Sequence, residues 1–187
     1  MPTDNEIISK VQELSALVDR LGRETERIKG YESLTEAAKE SQLDALYSGL
    51  RGDMTAERGE LVRLLRDKAE QERKANVNKA VELLRDNVYQ SFVTAAVVGI
   101  ESGAVDMQTA AAVAEQVAGD DVALSKLRRA AAGVGGSFEL PAARKQVDYE
   151  RLALLVENEI SFSAARTAPE LTQAMLADIR ESISMGQ

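Results

Sequence analysis

The sequence predicts an all-α protein: an extended helical bundle or coiled coil with one long central helix and a smaller helical domain. Hydrophobic residues make up 44% of the 187 residues and much of that share is alanine, whereas aromatic residues make up 4% and tryptophan is absent. Small aliphatic side chains let helices pack closely, while sheets favour the aromatic and β-branched residues that are scarce here. With only three prolines, long stretches also lack a helix breaker.

The first helix has apolar residues at alternating steps of four and three, which is the seam of a coiled coil over roughly three heptads. Thr3 or Asp4 is expected to cap its start, and Gly30 to end it. Ile8 and Leu17 widen the stripe, so an amphipathic helix packed on its own domain stays open as the alternative. The seam consists of Ile7, Val11, Leu14, Val18, Leu21, Thr25 and Ile28.

The second helix is predicted to begin with a capping box, in which Ser33 is the cap and Glu36 reaches back to its amide. Its apolar side chains are expected to be buried. We expect a turn at residues 49–53 to end it, so that the next helix folds back antiparallel. The side chains concerned are Leu43, Leu46, Tyr47 and Leu50.

The central stretch, residues 55–100, contains no proline, and its only glycines are Gly59 and Gly99. It predicts one long helix, of about 70 Å if unbroken, or two nearly collinear ones. Residues 66–79 carry charges of both signs on every side, as a solvated helix does. Beyond them lies an apolar stripe that the remaining helices are expected to cover: Val77, Val81, Leu84, Val88, Phe92 and Ala95.

Residues 109–132 predict two short helices joined by a glycine turn, with Asp106 as the cap of the first. They superficially resemble a helix-turn-helix, in which the second helix would enter the major groove of DNA. Asp120 and Asp121 would lie close to the phosphates, however, and the turn is one residue off the usual spacing. A plain helical hairpin is therefore favoured. The side chains that would read DNA are Ser125, Lys126, Arg128 and Arg129.

Glycine-rich residues 133–137 are interpreted as a linker, because no Gly-Lys-Ser/Thr follows to make a phosphate-binding loop. Asp148 is expected to cap the following helix, and Pro169 to open the last one. The last helix has an apolar stripe at steps of four, which would close the domain or contact a neighbouring subunit. An extended piece after the linker is expected to be held by Phe138, Leu140 and Pro141.

These boundaries divide the chain into three regions. Residues 1–76 form an N-terminal helical or coiled-coil arm, residues 77–133 a central helical bundle, and residues 134–187 a linker with a C-terminal helical pair. We expect the chain to associate with itself, as a homo-oligomer, and with other protein subunits. The predicted interface residues are Ile7, Val11, Leu14, Val18, Leu21, Ile28, Leu171, Met175, Ile179 and Ile183.

Catalytic chemistry is disfavoured by the absence of histidine and cysteine. Without them the usual serine triad, zinc sites and Glu-x-x-His di-iron sites are excluded. Carboxylate pairs remain, but such pairs are common on acidic helices, and spacing alone does not place them across a cleft. The sequence therefore predicts a protein that is not an enzyme, with no catalytic residue, cofactor or metal site. The pairs are Glu57 with Glu60 and Glu157 with Glu159.

Charge and hydropathy limit the partners. Acidic residues outnumber basic ones 31 to 23, so the net charge of −8 makes nucleic acid an unlikely partner. The start of the chain is polar and acidic, unlike a signal peptide, and the most apolar window, residues 92–100, is too short to cross a bilayer. The absence of cysteine fits a reducing cytosol or a particle assembled in one.

One short stretch resembles a patch in small helical proteins from the structural gene blocks of tailed bacteriophages. It reads Tyr-Glu-Ser-Leu-Thr-Glu-Ala-Ala-Lys at residues 31–39 and Leu-Asp-Ala-Leu-Tyr at residues 43–47. The resemblance covers a small part of the chain and implies a virion or head-assembly component, located in the virion or the host cytoplasm.

Phage head scaffolds are likewise acidic and poor in cysteine, but they often end in a basic segment, which this chain lacks. A permanent virion component therefore stays open beside a scaffold. The alternative function is a soluble bacterial adaptor or regulator, binding DNA through residues 109–132.

Overall fold

The computed structural model describes residues 2–138 and 147–186 of the chain. These residues form eight α-helices and no strand, which confirms the all-α class predicted from the sequence. In chain order the helices are α1 (Asp4–Gly30), α2 (Glu36–Arg85), α3 (Asn87–Glu101), α4 (Met107–Gln116), α5 (Asp121–Gly133), α6 (Tyr149–Glu159), α7 (Phe162–Thr167) and α8 (Pro169–Met185).

The chain divides into two compact units. Unit 1 comprises the described residues of Met1–Glu72 and Val147–Gln187, and unit 2 those of Arg73–Gln146. The C-terminal helices, which the sequence set apart as a third region, thus belong to the same unit as α1. The long helix α2 contributes residues to both units.

Helix α1 begins and ends as its sequence predicts. The Thr3 hydroxyl accepts a bond from the Glu6 amide at 3.2 Å, and the Glu6 carboxylate accepts one from the Thr3 amide at 2.6 Å. This reciprocal capping box satisfies two amides that have no partner within the helix. These hydrogen bonds also lower the pKa of Glu6, because they stabilise its charged form.

The core of unit 1 forms along the heptad face of α1, which packs against α2, α6 and α8. Polar contacts accompany this packing: Gln173 donates to the Ser15 carbonyl at 2.7 Å, and Lys10 pairs with Glu57 at 2.7 Å. The largest fully buried side chains of unit 1 are Ile7, Val11, Leu14, Leu21, Leu61, Leu65, Ile160, Leu176, Ile179 and Ile183.

The turn predicted at residues 49–53 is wrong, because α2 runs through it as a continuous helix. Glycine in a helix costs about 1 kcal/mol relative to alanine. Here that cost is offset by Leu50 and Met54, which are buried in the core of unit 1 four residues apart. The start also differs: the Thr35 hydroxyl, not that of Ser33, accepts a bond from the Ala38 amide at 3.3 Å.

The long helix ends at Arg85 and α3 begins at Asn87, so residues 55–100 belong to two helices, which was one of the two predicted alternatives. The side chain of Asp86 accepts hydrogen bonds from the amides of Val88 and Tyr89 at 2.9 and 3.0 Å, which starts α3. Aspartate and asparagine compete with a helix for backbone hydrogen bonds, so the Asp86-Asn87 pair favours such a restart.

Unit 2 is built around α3, α4 and α5, and its interior is mostly alanine. The cap predicted at Asp106 is confirmed, since its side chain accepts from the Thr109 amide at 2.7 Å. Asp120, which the sequence placed in the turn, caps α5 by accepting from the Val122 amide at 3.0 Å. Phe138 packs against this core, whereas Leu140 and Pro141 lie outside the described residues. The buried residues are Val93, Ala96, Ile100, Ala110, Ala114, Val117, Ala123, Leu127, Ala130 and Ala131.

In the C-terminal part of unit 1, the two predicted helix starts are present, and the buried face of α8 differs from the predicted apolar stripe. Asp148 caps α6 by accepting from the Arg151 amide at 2.9 Å, and Pro169 opens α8. Steps of four residues advance a helix face by about 40° each, so a stripe built on them drifts around the helix. The buried face of α8 accordingly includes Thr172 and Leu176, while Leu171 is 60% exposed.

Within the part of the chain that the structure describes, no helix combines the length and the apolar composition needed to cross a membrane.

Candidate interaction surface

The interface residues predicted on α1 lie inside unit 1. All six are at most 5% exposed, and five of them, all but Ile28, belong to the core cluster that joins α1 to α2, α6 and α8. On α8, Ile179 and Ile183 are buried in the same core, Met175 is half-buried, and Leu171 is exposed. Their contacts in the folded chain are therefore those of the intrachain alternative. The six on α1 are Ile7, Val11, Leu14, Val18, Leu21 and Ile28.

The apolar stripe on α2 and α3 is a surface that the described residues leave uncovered. We name it the exposed stripe and define it by five residues: Val77 (56% exposed), Val81 (38%), Leu84 (68%), Val88 (80%) and Phe92 (39%). The expectation that the remaining helices cover this stripe is wrong. Ala95, the last position of the predicted stripe, is exposed as well.

The physical reason is the rotation of α3. Its buried positions are Val93, Ala96 and Ile100. Val93 and Ala96 each follow a residue of the predicted stripe, Phe92 or Ala95, by one position, which corresponds to about 100° around the helix. That face packs on α4 and α5 through their alanines. The face bearing Val88 and Phe92 consequently points away from the core.

Exposed apolar side chains are concentrated in unit 2. Of the twelve large hydrophobic residues that the described chain exposes, eight belong to unit 2, which is the smaller of the two units. Single exposed apolar side chains are ordinary, but contiguous patches mark interaction sites. The concentration in one unit, rather than any single residue, therefore makes this surface the candidate site.

A shallow groove of about 80 Å³ adjoins the exposed stripe within unit 2. Leu84 and Val93 lie on its α2 and α3 sides, and Val122, which is 62% exposed, on its α5 side. The Gln90 amide donates to the Leu83 carbonyl at 3.0 Å, which ties the first turn of α3 to the end of α2. The exposed stripe therefore lies where the end of α2 is hydrogen-bonded to the start of α3.

A partly buried hydrogen bond connects α3 to the residue that caps α5. The Tyr89 hydroxyl donates to the Asp120 carboxylate at 2.9 Å, while the other oxygen of Asp120 caps α5. Burial raises the pKa of Tyr89 to about 12, and the neighbouring Asp120 charge acts in the same direction.

Charges around the stripe are balanced. Between residues 77 and 92 there are two basic side chains, Lys79 and Arg85, and two acidic ones, Glu82 and Asp86. A second helix of either net charge would gain little from this surface. A partner with the same balanced pattern can pair with it.

The carboxylate pairs noted in the sequence are on the surface of unit 1. Glu57 pairs with Lys10 at 2.7 Å, Glu157 with Arg66 at 2.6 Å, and Glu60 with Arg63 at 2.6 Å. The bond from Arg63 lowers the pKa of Glu60, the direction opposite to that of a general acid. The described residues contain no cluster of three or more aspartates or glutamates arranged for a metal ion.

The helix-turn-helix resemblance corresponds to α4 and α5. The basic residues Lys126, Arg128 and Arg129 are exposed on α5, and none of them forms an ion pair within the described residues. Asp120 and Asp121 occupy the start of the same helix, as the sequence indicated.

Comparison of the chain with protein-family models, with curated proteins and with solved structures gave no match.

Proposed function

We propose that this chain is a non-enzymatic structural or assembly protein that oligomerises through helix faces. The observation that supports it is the exposed stripe of unit 2, an apolar helix face on a folded unit. We further propose that its occupant is a second copy of the same surface.

The area of the stripe favours a symmetric pair. The exposed fractions of its five side chains add up to nearly three whole side chains. At about 1.5–3 kcal/mol for each fully buried side chain, covering it contributes about 4–8 kcal/mol per copy. Association costs about 4–15 kcal/mol, so burial on one copy alone is marginal, whereas burial on both copies contributes about 8–16 kcal/mol and matches that cost.

The residue pattern is also self-complementary. Val77, Val81 and Leu84 lie on one face of α2 at steps of four and three, and Val88 continues the exposed stripe on α3. Two antiparallel copies related by a two-fold axis between residues 82 and 83 place Val81 against Leu84 of the second copy.

The setting we propose is a bacteriophage virion or head-assembly complex. The phage resemblance of residues 31–39 and 43–47 supports this, together with the acidic charge and the helical architecture. A gene flanked by capsid, portal or tail genes would support the setting, and a gene inside an unrelated metabolic operon would contradict it.

The experiment for oligomerisation is sedimentation equilibrium of the full chain beside the double variant Val81→Glu with Leu84→Glu. The parent protein is expected to be a dimer or larger, and the double variant a monomer with unchanged helicity by circular dichroism. Both side chains are at least 38% exposed, so the charges should leave the fold intact.

The matched control is Leu154→Glu, on α6 of unit 1, where the leucine is 46% exposed. It should keep the parent mass. Leu171→Glu tests the interface predicted on α8 in the same way. A parent protein that stays monomeric up to its solubility limit, or a double variant that keeps the parent mass, would refute self-association through the stripe.

The alternative function is a soluble bacterial adaptor or regulator. One observation favours it, namely that Lys126, Arg128 and Arg129 of α5 are exposed and form no ion pair within the part of the chain that the structure describes. Tight duplex binding with a steep salt dependence, lost in Arg128→Ala with Arg129→Ala, would put this function ahead of the assembly role. The acidic start of α5 favours the opposite result.

A further inference from the structure

A second feature of the molecule, independent of the exposed stripe, is a cavity of about 210 Å³ in unit 1. Its walls come from α1, α2, the residues that join α6 to α7, and the first turn of α7. A water molecule occupies about 30 Å³ of liquid, so this space exceeds what one solvent molecule fills.

The polar part of the cavity is cationic and rich in donors. Arg51, Thr55 and Arg58 are spaced by four and three residues along α2, which places them on one face of that helix. Ser161 and Ser163 add two hydroxyl groups from the opposite wall. No carboxylate is among the described residues that line the cavity.

The two arginines differ from the other cations that α1 and α2 contribute to contacts between helices. Lys10, Arg66 and Lys68 each pair with a carboxylate of another helix at 3.0 Å or less. Arg51 and Arg58 have no carboxylate partner among the described residues, although acidic residues outnumber basic ones in this chain.

One of these arginines is already held in place. A guanidinium nitrogen of Arg58 donates to the Ile160 carbonyl at 3.3 Å, which anchors the group at the cavity wall. A guanidinium carries five N–H donors, so four remain for an incoming group. A guanidinium group held in this way can donate two parallel hydrogen bonds to the oxygens of a carboxylate or a phosphate.

The floor of the cavity is apolar. Leu14 and Met54 are at most 2% exposed, and Phe162 lies beside them with its ring edge-on to Tyr47 at 6.0 Å. Almost none of Leu14 or Met54 is left to cover, so the apolar surface that a ligand can still contact is that of half-buried Phe162. The complementary ligand therefore has an anionic head and a short apolar body.

We propose that this cavity binds an organic anion: a carboxylate or phosphate monoester with a short hydrocarbon part, its oxygens on Arg51 and Arg58 and its body against Phe162. The net charge of −8 repels free anions over the rest of the surface. Binding thus depends on the two arginines and weakens as salt screens them.

The test is calorimetric titration of the full chain at low ionic strength with four probes: acetate, hexanoate, inorganic phosphate and phenyl phosphate. Hexanoate or phenyl phosphate is expected to saturate a single site, and to bind more tightly than the probe with the same head and no body. Tighter binding of phenyl phosphate would identify a phosphoryl head, and tighter binding of hexanoate a carboxylate.

Variants separate the site from the rest of the surface. Arg51→Gln and Arg58→Gln should each weaken binding about tenfold or more, and Arg58→Lys should be intermediate because it keeps the charge but loses the fork. Arg51 is the cleaner site, since its side chain makes no hydrogen bond or ion pair with the described residues. Arg180→Gln, an exposed arginine of α8, is the control and should bind like the parent.

Three results would overturn the proposal: no saturable binding of any probe, equal affinity for acetate and hexanoate together with equal affinity for both phosphates, or binding that survives Arg51→Gln. None of these binding measurements depends on the oligomeric state. They therefore test anion binding in the cavity independently of self-association through the exposed stripe.

Discussion

The hydroxyl of Tyr149 donates to the carboxylate of Asp4 at 2.8 Å, across 145 positions of sequence. Lys68 contacts the same carboxylate at 3.0 Å and lies 5.7 Å from the centre of the Tyr149 ring. Residues of α1, α2 and α6 thus meet at one buried corner of unit 1. The bond fastens the C-terminal helices to the first residues of the chain.

Tyr149→Phe is expected to lower the free energy of unfolding by about 1 kcal/mol, because it removes one hydrogen bond and keeps the ring in place. Chemical denaturation of the full chain measures this. Tyr31→Phe is the control, since Tyr31 is 44% exposed and should change little. Equal stability of the Tyr149 variant and the parent would show that the bond contributes nothing net.

Stability should fall in alkaline solution. Burial raises the pKa of both Tyr149 and Tyr89, the latter from 10.0 to about 12. Since the folded pKa is above the unfolded one, the contribution is complete below about pH 10 and is lost as pH rises through about 12. Denaturation between about pH 8 and 12 should show this decline, and Tyr89→Phe should flatten it. A profile that the substitution leaves unchanged would contradict the assignment.

Glycine substitutions test the continuity of α2. A Cβ at Gly52 meets nothing within 4 Å, so Gly52→Ala should stabilise the protein by about 1 kcal/mol if residues 49–53 are helical. A turn at that position would cancel the gain. Gly99→Ala should have the opposite sign, because its Cβ would lie 2.5 Å from the branched side chain of Val105. Thermal unfolding of both variants beside the parent measures the two signs.

Thr25 offers a stabilising change in the heptad seam. It is 8% exposed, and its hydroxyl has no hydrogen-bond partner among the described residues. Valine has nearly the same shape without the polar atom, so Thr25→Val should raise the free energy of unfolding by about 1 kcal/mol. A loss of stability would indicate that the hydroxyl is satisfied in solution. Thr25→Ser, which keeps the hydroxyl and removes the methyl, should instead destabilise.

Core truncation should distinguish the bundle interior from its surface. Leu65 is fully buried in unit 1, so Leu65→Ala should cost about 2–5 kcal/mol. Leu154 is 46% exposed, and Leu154→Ala should cost far less. Denaturant midpoints of the two variants measure the difference, and similar costs would contradict the position of Leu65.

Local signals were the part of the fold that could be predicted. The caps at Thr3, Asp106 and Asp148 and the start of α8 at Pro169 follow from short-range chemistry, because a side-chain oxygen or a missing amide acts within one turn. The heptad seam of α1 could be read for the same reason, since it repeats within a single helix. The residues that bury this seam could not be predicted, because the helices that pack on it are distant in sequence.

Tertiary burial decided the features that the sequence misplaced. The glycines near position 50 indicate a turn until the burial of Leu50 and Met54 is known. The exposed stripe looked like core because its spacing is helical and apolar, but spacing does not say which face of α3 meets α4 and α5. The cavity lined by Arg58 and Ser161 joins residues 103 positions apart, so no local pattern could have shown it.

The alanine interior of unit 2 reverses the usual direction of mutational damage. In most domains harm comes from removing methyl groups, but Ala110, Ala114, Ala123, Ala130 and Ala131 each carry a single methyl group, and they outnumber the larger buried side chains such as Ile100 and Leu127. What this interior cannot absorb is growth, because each added carbon must push neighbouring backbones apart. Inherited variation in this half of the chain should therefore be confined by an upper limit on side-chain size, while in the other half the limit is a lower one.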